Sequence, residues 1–401
     1  MRPLVSRSRL QALVQVVAGL ALNAFPAMFI AVYARIAPIE AQGFLAVSLT
    51  VGVYVAQLFN AFVVEGRLAT PGADQNLSLP RWVGVLVVAA GALLSLGPLV
   101  APPWILIAGS VGIMTGLLMA RSIGVVCGRW KSEAVGAVLL LATSLVALVL
   151  AARQNPHCVQ VLALGGVAAI LVRWWPRTAI GVSGMPPDVR RASWVTAETA
   201  VLGVVQPTLT YLVLMILGPA ASVTFRVIST VSGALEPILA YGRYRLLAHG
   251  HKGELATFVL IFSAGLIAVL VAALGGLGEL IFGSAWSGVG AVVLVIACMW
   301  KLVMLISTVP FAALRKAGAT KLVFWIRGFT TVAYLAFGIG FLLLWDTVMA
   351  LFIGFVVAEL VTAVVYHFVA KKRVDEYDLT LRSAALVPGA VLARRWKRSA
   401  K

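Results

Sequence analysis

The stretch Leu217–Leu247, LGPAASVTFRVISTVSGALEPILAYGRYRLL, decides how the chain is read. At about 20 residues per ~30 Å of hydrocarbon, it is long enough to cross a bilayer as one helix. Its apolar body carries two charges, Arg226 and Glu236. A charge deep in a span costs roughly 2.5–3.5 kcal/mol on the insertion scale. A chain keeps such a charge where it faces protein, water or a charged ligand. Pro237 lacks a backbone donor and is expected to kink the helix. Arg226 and Glu236 are ten residues apart on one helix, about 15 Å of rise, so they cannot pair with each other. Glu236 therefore calls for a partner on another helix, a bound proton or an ion.

The rest of the chain fits a membrane setting. Of its 401 residues 61% are hydrophobic and only 11% charged, and the mean hydropathy is +1.01. This excludes an ordinary soluble domain. Cys127, Cys158 and Cys298 lie far apart and fit neither metal spacing nor a disulfide framework. The four histidines join no acid or cysteine pair suited to zinc, and no GxxxxGK[ST] loop occurs. No cofactor or metal is expected, and no enzyme activity. The basic start MRPLVSRSR leads into an apolar run too long for a signal peptide, so it is read as a retained first span.

Hydropathy places twelve spans, at about 10–34, 42–64, 82–101, 104–127, 135–153, 158–174, 193–217, 220–246, 256–281, 288–312, 322–344 and 347–370. The formal charge of +18 then sorts by side. One set of connections holds Arg2, Arg7 and Arg9; Arg67 and Arg81; Arg121, Arg129 and Lys131; Arg173, Arg177, Arg190 and Arg191. The same set continues with Arg243, Arg245 and Lys252, then Arg315, Lys316 and Lys321, then nine more cations from Lys371 to Lys401. The opposite set holds only Arg35 and Arg153. An even number of spans with both termini cytoplasmic gives this asymmetry, and it accounts for the charge without nucleic acid. The tail has an acidic DEYD and a basic ARRWKRSAK, suited to an anionic leaflet or to orientation alone.

The polar connection 175–191 divides the chain into six spans and six spans. This gives an N-terminal lobe 1–174, a linker 175–191, a C-terminal lobe 192–370 and a basic cytoplasmic tail 371–401. A faint repeat supports the division. When Pro26 is laid on Pro207, Pro38 falls on Pro219 and Phe44 on Phe225. With a gap, Cys127-Gly-Arg-Trp-Lys131 meets Ala317-Gly-Ala-Thr-Lys321. Six spans per half make the repeat parallel, about an axis along the membrane normal. Pro26, Pro207 and Pro237 are the candidate hinges.

Several charges lie within the spans. Lys301, near the centre of AVVLVIACMWKLVMLISTVPF, lies too deep to snorkel to an interface about 15 Å away. Arg226, Arg327 and Arg35 lie nearer span ends, and Arg121 reads as an interfacial anchor. Among the acids, Glu236 and Glu359 are intramembrane, suited to a coupling ion or to a structural role, with Glu359 equally suited to burial as a neutral acid between spans. Glu65 and Glu198 lie near inner ends.

The run LALNAFPAMFIAVYARIAPIEAQGFLAVS, with the turn Tyr33-Ala-Arg-Ile36 before Ala41-Gln-Gly-Phe44, resembles the opening of Wzx-type polysaccharide flippases. The segments Leu217-Gly-Pro-Ala220, Leu280-Ile-Phe-Gly-Ser-Ala-Trp286 and PFAALRKAGATK are similar to theirs as well. That family belongs to the multidrug/oligosaccharidyl-lipid/polysaccharide (MOP) exporter superfamily. The resemblance implies two six-helix lobes facing each other in a V, alternating access in the cell membrane, and a polyprenyl-diphosphate-linked oligosaccharide as substrate. Polysaccharide polymerases and glycosyltransferases are the implied partners. Arg226, Lys301, Arg35 and Arg327 would offset desolvation of the anionic diphosphate.

Three other readings were weighed. A drug or cation exporter of the same superfamily favours carboxylates over cations in its interior. A twelve-span facilitator typically carries G-x-x-x-D-[RK]-x-G-[RK]-[RK] between spans two and three, and residues 66–81 lack it. A membrane enzyme of polysaccharide assembly carries a large outward loop, whereas the outward connections here are short. The topology is tested by single introduced cysteines. A cysteine at Gly250 should be shielded from an impermeant reagent outside the cell and one at Gly283 labelled. Outside labelling at Gly250 refutes the span count.

Overall fold

The computed structural model describes residues 3–66, 81–96, 103–174, 189–236, 254–317 and 319–374. All regular structure among them is helical. The helices are α1 (Pro3–Ile36), α2 (Ile39–Asn60), α3 (Arg81–Leu96), α4 (Pro103–Val126), α5 (Trp130–Ala152), α6 (Cys158–Trp174) and α7 (Val189–Gly203). They continue with α8 (Val205–Leu217), α9 (Pro219–Ser232), α10 (Glu254–Ala272), the short α11 (Gly278–Phe282), α12 (Ala291–Lys316), α13 (Thr320–Trp345) and α14 (Val348–Arg373). Among the described residues nine helical stretches are long and apolar enough to cross a membrane, and Val83–Leu96 and Cys158–Trp174 are shorter apolar helices. The chain is a multi-pass membrane protein. Each expected span falls on helix of this set, the third being described only as far as Leu96 and the eighth only as far as Glu236. Residues 175–188 of the linker 175–191, Pro237 and the tail beyond Val374 lie outside the described residues.

By contact the chain forms two compact units, Met1–Thr230 with Gly276–Val289, and Val231–Gly275 with Gly290–Lys401. In the first, α2 packs along α4, and α5 lies between α1 and α6. In the second, α14 packs against both α12 and α13. Lipid supplies no hydrophobic drive between spans, so close approach of small residues does this work. A Cβ at Gly52 would lie 2.8 Å from the Ser110 carbonyl of α4, and one at Gly354 would lie 2.7 Å from the Phe337 carbonyl of α13.

The eighth span corrects the reading of 217–247 as one helix. α9 ends at Ser232, and Gly233–Leu235 form a turn ahead of Pro237. Glycine is a poor helix former. Pro237 has no N–H to offer the carbonyl four residues back, that of Gly233. The Glu236 N–H takes that carbonyl instead, at 3.0 Å in an i to i−3 bond, and Ala234 bonds Val231 in the same way at 3.2 Å. The break therefore comes before the proline, not at it.

Two turns matched in the sequence close alike. After α4, the Arg129 N–H bonds the Gly124 carbonyl at 2.8 Å and the Gly128 N–H bonds that of Val125 at 3.2 Å, a Schellman closure. After α12, the Ala319 N–H bonds the Leu314 carbonyl at 3.1 Å with the same six-to-one spacing. Arg129 (φ −80°, ψ 51°) and Ala319 (φ −79°, ψ 43°) then cap α5 and α13 in nearly the same conformation. Pro38 and Pro219 also match locally, one capping α2 and the other opening α9. Pro26 lies inside an α1 continuous from Pro3 to Ile36, and Pro207 lies near the start of α8, which follows α7 through Val204 at helical φ −65° and ψ −22°.

Gly128 has φ +66°, a region costing an L side chain roughly 1–2 kcal/mol. Gly128→Ala should lower the denaturation midpoint in detergent by a matching amount. Gly128→Asn should lose less, because asparagine tolerates the left-handed conformation better.

Candidate functional site

One face of α12 carries the polar chemistry of the second unit. Trp300 and Ser307 are two turns apart and so share a face. Both are buried against α14. The Trp300 Nε1–H donates to the Tyr334 hydroxyl of α13 at 2.6 Å. That hydroxyl in turn donates to Oε2 of Glu359 on α14, while the Ser307 hydroxyl donates to Oε1. Both carboxyl oxygens are thus held by hydroxyl donors in an otherwise apolar interior, where a buried polar group needs partners. Aromatic rings surround the chain of bonds. Trp300 lies 4.8 Å from Phe355 and 6.2 Å from Phe352, centroid to centroid. Glu359 is one of the two intramembrane acids expected from sequence, and the structure places it buried between three spans.

Lys301, one residue further round α12, points elsewhere. It is 4% exposed, and its ammonium is ion-paired with Glu236, the other expected acid. Glu236 thus finds its partner on another helix, one of the alternatives left open by the sequence. The pair is uneven, with Lys301's side chain 5% exposed and that of Glu236 48%. The Lys301 Nζ also lies 3.8 Å from the Trp300 ring centroid, within cation–π range. The tryptophan therefore joins the ion pair to the Tyr334–Glu359–Ser307 hydrogen bonds.

The remaining expected cations lie apart. In the first unit, the Arg35 guanidinium donates to three carbonyls, those of Ala31 (2.6 Å), Ile281 (2.6 Å) and Leu280 (2.5 Å). The Ser284 hydroxyl reaches back to the Ala34 carbonyl at 2.6 Å, and the Gln154 side chain donates to the Arg35 carbonyl at 3.0 Å. Gly283, at φ +57°, comes within 3.4 Å of the Arg35 guanidinium carbon measured from its ideal Cβ position. Arg35 thus clamps the turn 276–289 to the end of α1. Arg226 is half-buried in α9 beside the fully buried Phe225. In the second unit, the Arg327 guanidinium stacks 4.6 Å over the Phe311 ring. Phe311 and Lys301 are ten residues apart on α12, so the two cations address levels about 15 Å apart.

Sequence reasoning missed a buried ion pair. Arg173 Nε and Glu133 Oε2 are 3.3 Å apart, with side chains 0% and 1% exposed. By sequence Arg173 falls among the cations of a connection. The available signal was position: Glu133 lies in the first turn of α5 and Arg173 in the last turn of α6. Neighbouring antiparallel helices bring such ends together.

No family model matches the sequence, and no curated protein matches it. Among solved structures, a MATE crystallised in complex with MaL6 is similar with TM-score 0.52 at 13% identity, over 90% of this chain and 94% of that one. An outward-facing multidrug resistance MATE family transporter of the MOP superfamily gives 0.46 at 12% identity, over 90% and 94% of the two chains. The eukaryotic MATE transporter AtDTX14 gives 0.39 at 15%, over 94% and 98%. The first of these establishes the fold and, at that identity, the fold alone. The chain has the fold of the MATE transporters of the MOP superfamily, whose twelve helices form two lobes. The all-α polytopic architecture expected from sequence is the one found.

Arg35→Lys keeps the charge of Arg35 but not the fork that serves two carbonyls at once. Charge-assisted hydrogen bonds are worth about 1.5–3 kcal/mol each, so the variant should lower the denaturation midpoint nearly as far as Arg35→Ala. A full midpoint in Arg35→Lys with loss only in Arg35→Ala would assign Arg35 to charge and not to the clamp.

Proposed function

We propose that the protein is an exporter that flips a polyprenyl-diphosphate-linked oligosaccharide from the inner to the outer leaflet by alternating access. The supporting observation is Lys301: a cation retained mid-span in a MATE-type fold, at a cost, and buried against a Glu236 side chain that is itself about half exposed. A diphosphate crossing a low-dielectric interior needs such fixed positive charge; Arg226 and Arg327 are further proposed substrate-binding cations. Arg35, committed to carbonyls, contributes positioning. The lobes 1–174 and 192–370, joined by 175–191 and followed by the basic tail 371–401, are the proposed moving parts. The proposed setting is the cytoplasmic membrane with both termini inside. Polysaccharide polymerase and glycosyltransferases are the proposed partners.

One observation favours a second reading, a drug or ion-coupled exporter of the same superfamily. Glu359 is an intramembrane carboxyl held by Ser307 and Tyr334, a group able to carry a coupling cation. The two readings separate in cells depleted of the protein, with variant levels matched by blotting. Under the flippase reading, export of lipid-linked glycan is restored by the wild type, falls at least tenfold with Lys301→Ala, and is partly kept by Lys301→Arg. Unchanged glycan export on depletion, with loss of efflux of a cationic dye, selects the second reading.

A further inference from the structure

We propose that Glu236 is the resident counter-anion of an anion site at Lys301, and that the substrate's diphosphate displaces it. The inference deepens the flippase reading and rests on its diphosphate substrate. It draws on three features of the second unit.

The first is the unevenness of the pair. Lys301 is enclosed, while nearly half of the Glu236 side chain is open. The carboxylate therefore covers the accessible side of the ammonium, and withdrawing it uncovers that side.

The second is that Lys301 does not depend on Glu236 for its position. Its ammonium rests on the Trp300 ring. That ring is pinned by the bond from its N–H to Tyr334, by the Tyr334–Glu359–Ser307 bonds, and by Phe355 and Phe352. With Glu236 withdrawn, the donor stays where it is, so the site is preorganised.

The third is the backbone that carries Glu236. The residue sits at the end of the Gly233–Leu235 turn, where α9 has already ended. Its own N–H is bonded to Gly233 only three residues back. Its side chain lies beyond the end of α9, so swinging it away leaves the packing of α9 in place.

The chemistry gives the direction of exchange. An ammonium buried with no anion is strongly unfavourable, so the empty protein needs a resident carboxylate. A phosphate group carries more charge than a carboxylate and more acceptor oxygens, and charge-assisted bonds to it are strong. It therefore outcompetes Glu236, whereas a ligand carboxylate, no better than Glu236 itself, does not. The site thus discriminates phosphate esters from carboxylates without a contact to the sugar.

The test uses the purified full chain in detergent, titrated calorimetrically with farnesyl diphosphate, inorganic pyrophosphate and farnesoate. Wild type should bind farnesyl diphosphate weakly. Glu236→Gln, which removes the competing charge, should bind it about tenfold tighter. Glu236→Asp, shorter by one methylene, should fall between them. Lys301→Gln should show no binding, alone or combined with Glu236→Gln. Farnesoate should bind at least tenfold more weakly than farnesyl diphosphate to Glu236→Gln. Comparable binding of pyrophosphate assigns the site to the anionic group whatever its source, and binding of the farnesyl ester alone assigns it to a lipid-borne anion; both support the proposal. No gain in Glu236→Gln when that variant elutes as a single species, or a gain that survives Lys301→Gln, overturns it. If Glu236→Gln aggregates, the Glu236→Asp comparison decides in the same way. A clear gain in Glu236→Gln, with glycan export unchanged on depletion of the protein, discards the flippase reading and keeps the anion site.

Discussion

An ammonium group in the middle of a membrane-spanning helix must find its counter-charge within the protein. That constraint organises the second unit. Lys301 is placed on α12 between two demands: its charge needs Glu236, and its neighbour Trp300 needs a hydrogen-bond acceptor in an apolar interior. The Trp300 bond sets the rotation of α12, and that rotation brings Lys301 to Glu236. Once Trp300 faces Tyr334, Ser307 two turns on faces Glu359, and Lys301 is turned towards the end of α9. The polar groups of four segments thus share one set of bonds, and the surrounding Phe352 and Phe355 shield it.

The break at Gly233 belongs to the same arrangement. A regular helix through residue 236 would continue the phase of α9. The turn replaces that phase with one set by Gly233 and by the missing donor of Pro237, and Glu236 is the residue it delivers to Lys301. A discontinuous span of this kind is how membrane proteins bring backbone and side-chain polarity to a site within the bilayer. The Arg35 clamp uses charge differently. There the guanidinium bonds the carbonyls of Leu280 and Ile281 near the end of α11 and that of Ala31 within α1, so a cation that reads as a ligand for substrate is used to close a turn. The two roles draw on the same property of arginine, several donors in a rigid fork.

The repeat shows how little sequence a turn requires. Cys127-Gly-Arg-Trp-Lys131 and Ala317-Gly-Ala-Thr-Lys321 share only a glycine and a lysine. Even so, Arg129 and Ala319 reach the same backbone conformation and accept the same role at the start of a helix. Most of a helix surface in lipid needs only to be apolar, so its residues drift freely. The turn needs one bond from five residues on and a cap, and quite different residues supply both.

By itself the sequence determined what depends on counting: an all-helical chain, where its helices fall, and which charges sit inside apolar stretches. Hydrocarbon permits only internally bonded backbone, so length and polarity alone carry that information. Lys301, Glu236 and Glu359 stood out for the same reason. Their partners did not, because pairing depends on the rotation and tilt of helices that are distant in the chain. Only the tertiary structure joined Lys301 to Glu236 across 65 residues, gave Glu359 to Ser307 and Tyr334, turned Arg35 onto the carbonyls of Leu280 and Ile281, and buried Arg173 against Glu133. An ammonium or a guanidinium has the same sequence signature whether its charge meets a carboxylate, a carbonyl or a ligand. Which of these it meets is decided by what folding packs against it.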